Sequence, residues 1–166
     1  MNNNTIAHPS ADVERTFIMI KPDAVQRKLV GEIIQRIERK GFWIVAMRML
    51  HADSTLASRL YSQHHGMPFY EPLIEFTISS PVVAMVVEGT NAIMSMRRII
   101  GPTSHAEPGS IRGDFSTATR YNLIHASDCQ EAFIREASLF FGADDVVVYK
   151  PSDYLWTDSR WLPFQK

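Results

Sequence analysis

The strands and helices predicted along the chain follow the order β-α-β-(α)-β-α-β. This order favours an α+β fold of the ferredoxin-like βαββαβ type, in which helices pack on a four-stranded antiparallel sheet. A doubly wound nucleotide-binding fold is disfavoured, because its strands and helices would alternate strictly. Neither G-x-G-x-x-G nor G-x-x-x-x-G-K-[ST] occurs in the sequence, so any bound phosphate must be held by side chains.

Apolar spacing predicts the elements of the first half of the chain. Residues 16–20 predict a short strand, and Val30 begins an i, i+3, i+4, i+7 pattern that predicts an amphipathic helix ending near Gly41. A second strand is expected at residues 42–50. Helices are then expected from Ser54 through His64, where Gly66 and Pro68 break the pattern, and at residues 71–79.

The second half begins with a continuous apolar run at residues 82–87, which predicts a central strand of the sheet. A helix is expected at residues 91–100, a loop at 103–116 and a fourth strand at 121–124. Ser127 and Gln130 form an S-x-x-Q capping box, which predicts a helix from about Asp128 to Phe140.

The composition predicts one domain, at residues 14–149, between a mobile polar tail at 1–13 and an extension at 150–166 that contains Trp156 and Trp161. The net charge of −1 gives no general attraction for nucleic acid or anionic membranes. One cysteine excludes an internal disulfide and a cysteine-based zinc site. No signal peptide or membrane-spanning run is visible, so a cytoplasmic protein is the default expectation.

The run Asn122-Leu-Ile-His125-Ala-Ser127-Asp128 places an imidazole beside an amide and a hydroxyl, and Arg112 lies close by in the sequence. An isolated histidine is more often a partly buried side chain bonded to a backbone carbonyl. Histidine is also a nucleophile, and a nucleophile beside cationic donors suits the transfer of an anionic group.

Together with Ile20-Lys21-Pro22-Asp23-Ala24, this N-x-x-H-[GA]-S-D pattern resembles the nucleoside diphosphate kinase family, over about residues 14–141. The resemblance implies transfer of the γ-phosphate of a nucleoside triphosphate, such as ATP, to a nucleoside diphosphate. It also implies ping-pong kinetics through a phosphohistidine on His125, which would maintain nucleoside triphosphate pools.

The resemblance also assigns the other site residues. Glu136 would fix the tautomer of His125, and Ser127 would support this carboxylate. The base would be clamped by Phe69 and Leu73, and the sugar bound by Asn122 together with Lys21. The phosphate-binding positions are Lys21, Arg97, Thr103 and Arg112, and Arg98 is an alternative to Arg97. The further pocket positions are Tyr61 and His64, and His65 is an alternative to His64.

Mg²⁺ is expected with the nucleotide phosphates, and no firm protein ligand for it is predicted, although Asp128 could reach the ion through water. The resemblance implies a homo-oligomer built from dimers, either a hexamer or a tetramer, and residues 42–50 could supply its dimer edge. The stretch from Thr103 to Arg112 is shorter than is typical of the family, and Cys129 stands where a smaller residue is usual.

Two rival interpretations belong to other functional classes. The first is a non-catalytic ferredoxin-like binding or regulatory module, which would not need His125 and Glu136 together. An RNA-binding version would also carry aromatic strand motifs with flanking basic residues, which are absent here. The second is a family member kept as a scaffold after losing its activity, although its motif residues are intact.

Overall fold

Four strands form one antiparallel sheet in this computed structural model, which describes residues 13–152. The strands are β1 (Glu14–Ile20), β2 (Trp43–Leu50), β3 (Val82–Gly89) and β4 (Ile124–Ala126). Their order across the sheet is β2-β3-β1-β4, and each neighbouring pair is antiparallel. The predicted α+β, ferredoxin-like fold is confirmed.

The helices cover both faces of this sheet. They are α1 (Pro22–Gln26), α2 (Val30–Arg39), α3 (Ser54–Leu60), α4 (Tyr70–Ile78), α5 (Ala92–Ile100), α6 (Ile111–Phe115) and α7 (Gln130–Phe140), with short 3-10 helices at Ser62–His64 and Ala143–Asp145.

Side chains of β1 alternate between two apolar clusters, one on each face of the sheet. Phe17 and Met19 pack with residues of α3, α4 and α7, whereas Ile18 and Ile20 pack with residues of α2, α5 and α6. Every residue of β3 is buried, as its continuous apolar sequence predicts for a central strand covered on both faces. Both apolar clusters thus pack on β1, which pairs with the strand that carries His125.

The fourth strand lies later in the chain than predicted. The expectation of a strand at residues 121–124 is wrong, because β4 begins at Ile124 and pairs with the end of β1. Leu123 has a φ of +70°, in the left-handed region, which is incompatible with a strand. As a result His125 lies on the strand itself, opposite Met19.

Part of the loop predicted at residues 103–116 is helical, since α6 occupies its end. The Ser110 hydroxyl oxygen caps this helix by accepting a 3.0 Å bond from the backbone N–H of Gly113. A Cβ atom at position 113 would lie 1.9 Å from the carbonyl oxygen of Glu107, so the turn requires glycine. The helix carries Arg112 towards the sheet.

The predicted S-x-x-Q capping box does not form, and α7 begins at Gln130 rather than near Asp128. Cys129 is the N-cap, and its Sγ accepts a 3.4 Å bond from a backbone N–H of the first turn. The hydroxyl of Ser127 donates to Glu136 instead, which makes it unavailable to the start of the helix.

Other differences are smaller. The helix predicted through His64 ends at Leu60 and continues as a 3-10 turn. Helix α1 was not predicted, although a proline at the first helical position is a known start signal. No helix within residues 13–152 has the length and apolar character needed to cross a bilayer. The predictions for the two tails, including Trp156 and Trp161, fall mainly on residues 1–12 and 153–166, outside the described residues.

Candidate active site

The imidazole of His125 is bonded to a buried carboxylate. Its Nε2 lies 2.7 Å from Oε2 of Glu136, a residue of α7 that is 2% exposed. The same oxygen accepts a 2.7 Å bond from the hydroxyl of Ser127, and Oε1 accepts a 3.1 Å bond from Arg135. Both carboxylate oxygens are therefore occupied, which fixes the carboxylate against the ring.

These contacts keep Glu136 ionised. Burial by itself raises the pKa of Glu136, but the bonds from His125 and Ser127 and the charge of Arg135 outweigh it, so the pKa lies below its ordinary value. An ionised carboxylate only accepts hydrogen bonds, which assigns the ring proton to Nε2. The lone pair of Nδ1 is then left for a substrate.

The amine of Lys21 is buried at the end of β1, and the residue is only 5% exposed. Its Nζ donates a 2.7 Å bond to Oδ1 of Asn122, whose amide nitrogen donates in turn to the carbonyl oxygen of Thr119. Burial, and then the positive charge of Arg112, lower the pKa of Lys21 to about 7. An amine in this environment is stabilised in its charged form when an anion arrives.

The guanidinium group of Arg112 reaches from α6 into the turn that precedes β4. It donates to the carbonyl oxygens of residues 101, 122 and 124 at 2.9, 3.1 and 2.6 Å, and lies 3.3 Å from Oγ1 of Thr103. Burial, and then the charge of Arg97, lower the pKa of Arg112 to about 10, which leaves it charged at neutral pH. These bonds hold a planar cation in one orientation.

One cavity of about 620 Å³ brings the predicted residues together, and its volume is typical of a small-molecule site. Ser127 is absent from its lining because it lies behind Glu136, to which it is bonded. The predicted residues that line the cavity are Lys21, Tyr61, His64, Phe69, Leu73, Arg97, Thr103, Arg112, Asn122, His125 and Glu136.

The two alternatives left open by the sequence differ in position. Arg97 lines this cavity, whereas Arg98 lines a neighbouring groove. His64 also lines the cavity, and its ring lies 5.4 Å from the ring of Phe69. His65 packs instead against Tyr70, at 5.3 Å between ring centroids. The geometry therefore favours Arg97 and His64.

Aromatic rings line another part of the cavity. Phe69 is 48% exposed at the cavity mouth, although it is a large apolar side chain. Tyr61 is buried and meets the ring of His125 edge-on, at 5.7 Å between centroids. Burial raises the pKa of Tyr61, which keeps its hydroxyl neutral. The cavity thus has a polar inner end and an apolar, accessible outer end.

Residues 14–146, which contain all of these side chains, match the family model described as nucleoside diphosphate kinase. The chain belongs to the nucleoside diphosphate kinase family. A nucleoside diphosphate kinase of Ignicoccus hospitalis is 56% identical over 137 residues, which cover 81% of this chain and 93% of that protein. One of Archaeoglobus fulgidus is 50% identical over 146 residues, with 87% and 97% covered.

Solved structures agree with this assignment. A halophilic nucleoside diphosphate kinase from Halobacterium salinarum, in complex with CDP, superposes with a TM-score of 0.84 at 42% identity, and 87% of this chain and 97% of that chain are covered. The protein is an enzyme with nucleoside diphosphate kinase activity, a phosphotransferase that binds nucleotides. The rival interpretation of a non-catalytic binding module is not favoured.

Sequence reasoning missed three polar residues of the kinase that line the same cavity: Gln63, Thr119 and Arg120. None belongs to a recognisable motif, and each is brought to the cavity by the fold. The one available signal was that Thr119 and Arg120 lie close before the Asn122 run, separated from it by Tyr121, because residues near a site motif often share its surface.

The carboxylates of the kinase fit a metal ion that arrives with a nucleotide better than one held by the protein. Within residues 13–152 there is no group of three or more His, Cys, Asp or Glu side chains arranged to hold a metal. Asp128 lines the cavity together with Glu136, whose oxygens are already occupied. One available carboxylate suits Mg²⁺ bound mainly by phosphate oxygens and water.

Proposed function

We propose that His125 accepts the γ-phosphate as a covalent intermediate between the two substrates of the kinase reaction. The 2.7 Å contact between Nε2 of His125 and Oε2 of Glu136 carries this proposal. A buried carboxylate is costly unless it has a partner. Because the carboxylate of Glu136 holds Nε2 of His125, Nδ1 is left free to act as the nucleophile, as nucleophilic catalysis requires.

Both half-reactions balance on this ring. Nδ1 of His125 uses its lone pair to bond the γ-phosphorus, the bond to the bridging oxygen breaks, and the departing nucleoside diphosphate keeps that electron pair. The proton on Nε2 stays in place, and Glu136 balances the positive charge of the ring. A β-phosphate oxygen of a second nucleoside diphosphate then attacks the phosphorus, and the N–P electron pair returns to Nδ1.

Four side chains would hold the phosphates. Lys21 is buried and Arg112 is half-buried, Arg97 adds an exposed cation, and Thr103 offers a hydroxyl beside Arg112. Phosphoryl transfer places negative charge on the equatorial oxygens, so preoriented cations stabilise the transition state more than the substrate. ATP would serve as a donor, and nucleoside triphosphate pools would be maintained.

The outer end of the cavity would hold the nucleoside. Phe69 and Leu73 offer apolar surface for stacking against a base, which tolerates different bases. Asn122 and Lys21 would bind the sugar hydroxyls, while Tyr61 and His64 complete the walls.

Mg²⁺ would enter with the phosphates, and Asp128 would approach it through water. When bound, the ion neutralises charge on the phosphate oxygens. The residues of the chain orient the nucleotide around it, with the γ-phosphate held towards His125.

Labelling with γ-³²P ATP tests the central proposal. Wild-type protein should take up an acid-labile, base-stable label, and His125→Ala should take up none and transfer none, with an unchanged circular dichroism spectrum.

His51→Ala is the matched control, since His51 is exposed and does not line the cavity. It should label as the wild type does. Substantial label on a folded His125→Ala variant would move the nucleophile to another residue.

The assembly is proposed to be a dimer-based homo-oligomer, with a hexamer slightly favoured over a tetramer or dimer. Strand β2 lies at an edge of the sheet, and Met47 and Met49 on it are 57% and 60% exposed. Burial of such an edge in a two-fold contact removes an aggregation hazard. The proposal includes a cytoplasmic location, as expected from the sequence.

Light scattering at micromolar concentration tests the assembly. An even-numbered oligomer is expected, and Met49→Lys should shift it towards smaller species because the charge would be buried in the contact. Met94→Lys is a matched control on α5, at similar exposure, and should leave the mass unchanged. A stable wild-type monomer would refute the dimer.

A further inference from the structure

Leu123 occupies a strained turn beside the active site. Its φ is +70°, in a region that non-glycine residues rarely adopt. The backbone N–H of Ile124 donates a 2.8 Å bond to the carbonyl oxygen of Asn122, two residues earlier, as in a γ-turn with a positive central φ. Such a conformation persists only where surrounding contacts hold it.

Both backbone polar groups of Leu123 are bonded to the segment at the start of α1. Its carbonyl oxygen accepts a 2.8 Å bond from the backbone N–H of Lys21. Its N–H donates a 3.1 Å bond to Oδ2 of Asp23. The first bond joins two backbone atoms and does not depend on a side chain, whereas the second depends on Asp23.

Groups of the active site are positioned by this turn. The side chain of Asn122 accepts a bond from Nζ of Lys21, and His125 follows two residues after Leu123. The carbonyl oxygens of residues 122 and 124, on either side of Leu123, both accept bonds from Arg112. Relaxation of φ at Leu123 would rotate the peptide group between residues 122 and 123 and so move the carbonyl oxygen of Asn122, one of the acceptors that orient the guanidinium group.

We propose that Asp23 is a positioning residue for phosphoryl transfer and acts by holding the backbone of Leu123 in this turn. The inference rests on the proposed roles of Lys21, Arg112 and Asn122 at the nucleotide. Asp23 need not touch the nucleotide. What the turn requires is an oxygen acceptor at the position of Oδ2, and a negative charge is not required.

This requirement separates the proposal from two other roles for the same carboxylate. Asp23 lies in the first turn of α1, where a negative charge favours the helix, and its charge also partly raises the pKa of Lys21. Both of those roles depend on charge. The proposed role depends on the position of one oxygen.

Asp23→Asn and Asp23→Glu distinguish position from charge. Asparagine keeps an oxygen in place without the charge, whereas glutamate keeps the charge and moves the oxygen by one methylene group. Transfer from ATP to a nucleoside diphosphate is measured for both variants and for Asp23→Ala, with circular dichroism as the check on folding. We expect Asp23→Asn to retain kcat within about threefold, and the Glu and Ala variants to lose about 10- to 100-fold, as for misplaced catalytic groups.

Asp53→Ala is the matched control. Oδ1 of Asp53 accepts a 2.7 Å bond from the backbone N–H of Leu56 at the start of α3, so this variant also removes a carboxylate acceptor from a backbone N–H. It should lower thermal stability without lowering kcat.

Wild-type activity in Asp23→Glu would overturn the proposal, because acceptor position would not matter. An Asp23→Asn variant as slow as Asp23→Glu would also overturn it, because charge would then be needed. If Asp23→Ala does not fold, the kcat values of Asp23→Asn and Asp23→Glu are sufficient to test the proposal. Failure of the underlying assignments is distinguishable, since Lys21→Ala, Arg112→Ala and Asn122→Ala would then all transfer phosphate at the wild-type rate.

Discussion

At its inner end, the candidate cavity is lined by buried and half-buried polar side chains that bond to one another, whereas at its outer end the aromatic side chain of Phe69 is exposed. Lys21, Asn122 and Arg112 form one hydrogen-bonded group, and His125 and Glu136 form another. The outer residues Phe69 and His64 make a ring contact, and Phe69 is about half exposed.

The proposed function accounts for this difference. A transferring phosphoryl group has the same shape and charge in every substrate, so its binding groups can be fixed in advance at little cost to generality. Bases differ in their edges, and a wall that offers contact surface accepts all of them. Substitutions at the inner end should therefore lower the rate, and those at the outer end should weaken binding.

The largest effect is expected at the inner end. Arg112→Ala removes a cation from the transition state and should lower kcat/KM by about 100- to 1000-fold, as for loss of one oriented donor. Arg112→Lys keeps the charge but loses the planar fork, and should be intermediate. Arg98→Ala, outside this cavity, should stay within about twofold. Steady-state kinetics check this on variants whose circular dichroism spectra match that of the wild type. Near-native transfer by Arg112→Ala would show that Arg112 is not a residue of the site.

Proton uptake on nucleotide binding tests the inner end in a second way, which does not rely on the rate of phosphate transfer. Burial and Arg112 lower the pKa of Lys21 to about 7 in the free enzyme, so at pH 8 the amine is mostly neutral. Arriving phosphates favour its charged form, and ADP binding should therefore take up close to one proton at pH 8.

Calorimetry in two buffers of different ionisation enthalpy measures this uptake. Lys21→Arg, which stays protonated, is the control and should show none from this position. If Lys21→Arg took up as many protons as the wild type, the proton would have to bind to a group other than Lys21.

A smaller effect is expected at the outer end. Phe69→Ala should raise KM for nucleoside diphosphates about tenfold, by loss of base stacking, while kcat changes little. The rise should be similar for GDP, CDP and UDP. Phe69→Tyr, which keeps the ring, is the control, and a large fall in kcat for Phe69→Ala with unchanged KM would contradict the division between the two ends.

The sequence predicted the fold class because apolar periodicity is local, and the buried strands carry it without interruption. The candidate site residues came from two short motifs and from the family resemblance, and most of them line one cavity. The wrong predictions concern places where a distant contact overrides a local pattern. Ser127 has the sequence of a helix cap but donates to Glu136, and Leu123 has the sequence of a strand residue but is bonded to Asp23.

Helix α6 was missed for a different reason. Its turn depends on a close approach between Gly113 and the carbonyl oxygen of Glu107, which no periodic pattern records. The lining residues Gln63 and Arg120 likewise belong to the site only through the path of the backbone.

The bond between Lys21 and Asn122 joins residues 101 positions apart, and β4, which pairs with β1, comes late in the described chain. A ribosome adds about 5–20 residues per second, so β1 waits roughly 5–20 s for this partner during synthesis. Strand β3 emerges earlier and pairs with the other edge of β1. A nascent chain that stops before residue 122 can thus form the pairing of β1 with β3 but lacks Asn122, His125 and Glu136, so under the proposed function transfer in cell-free translation should begin only after these residues have emerged.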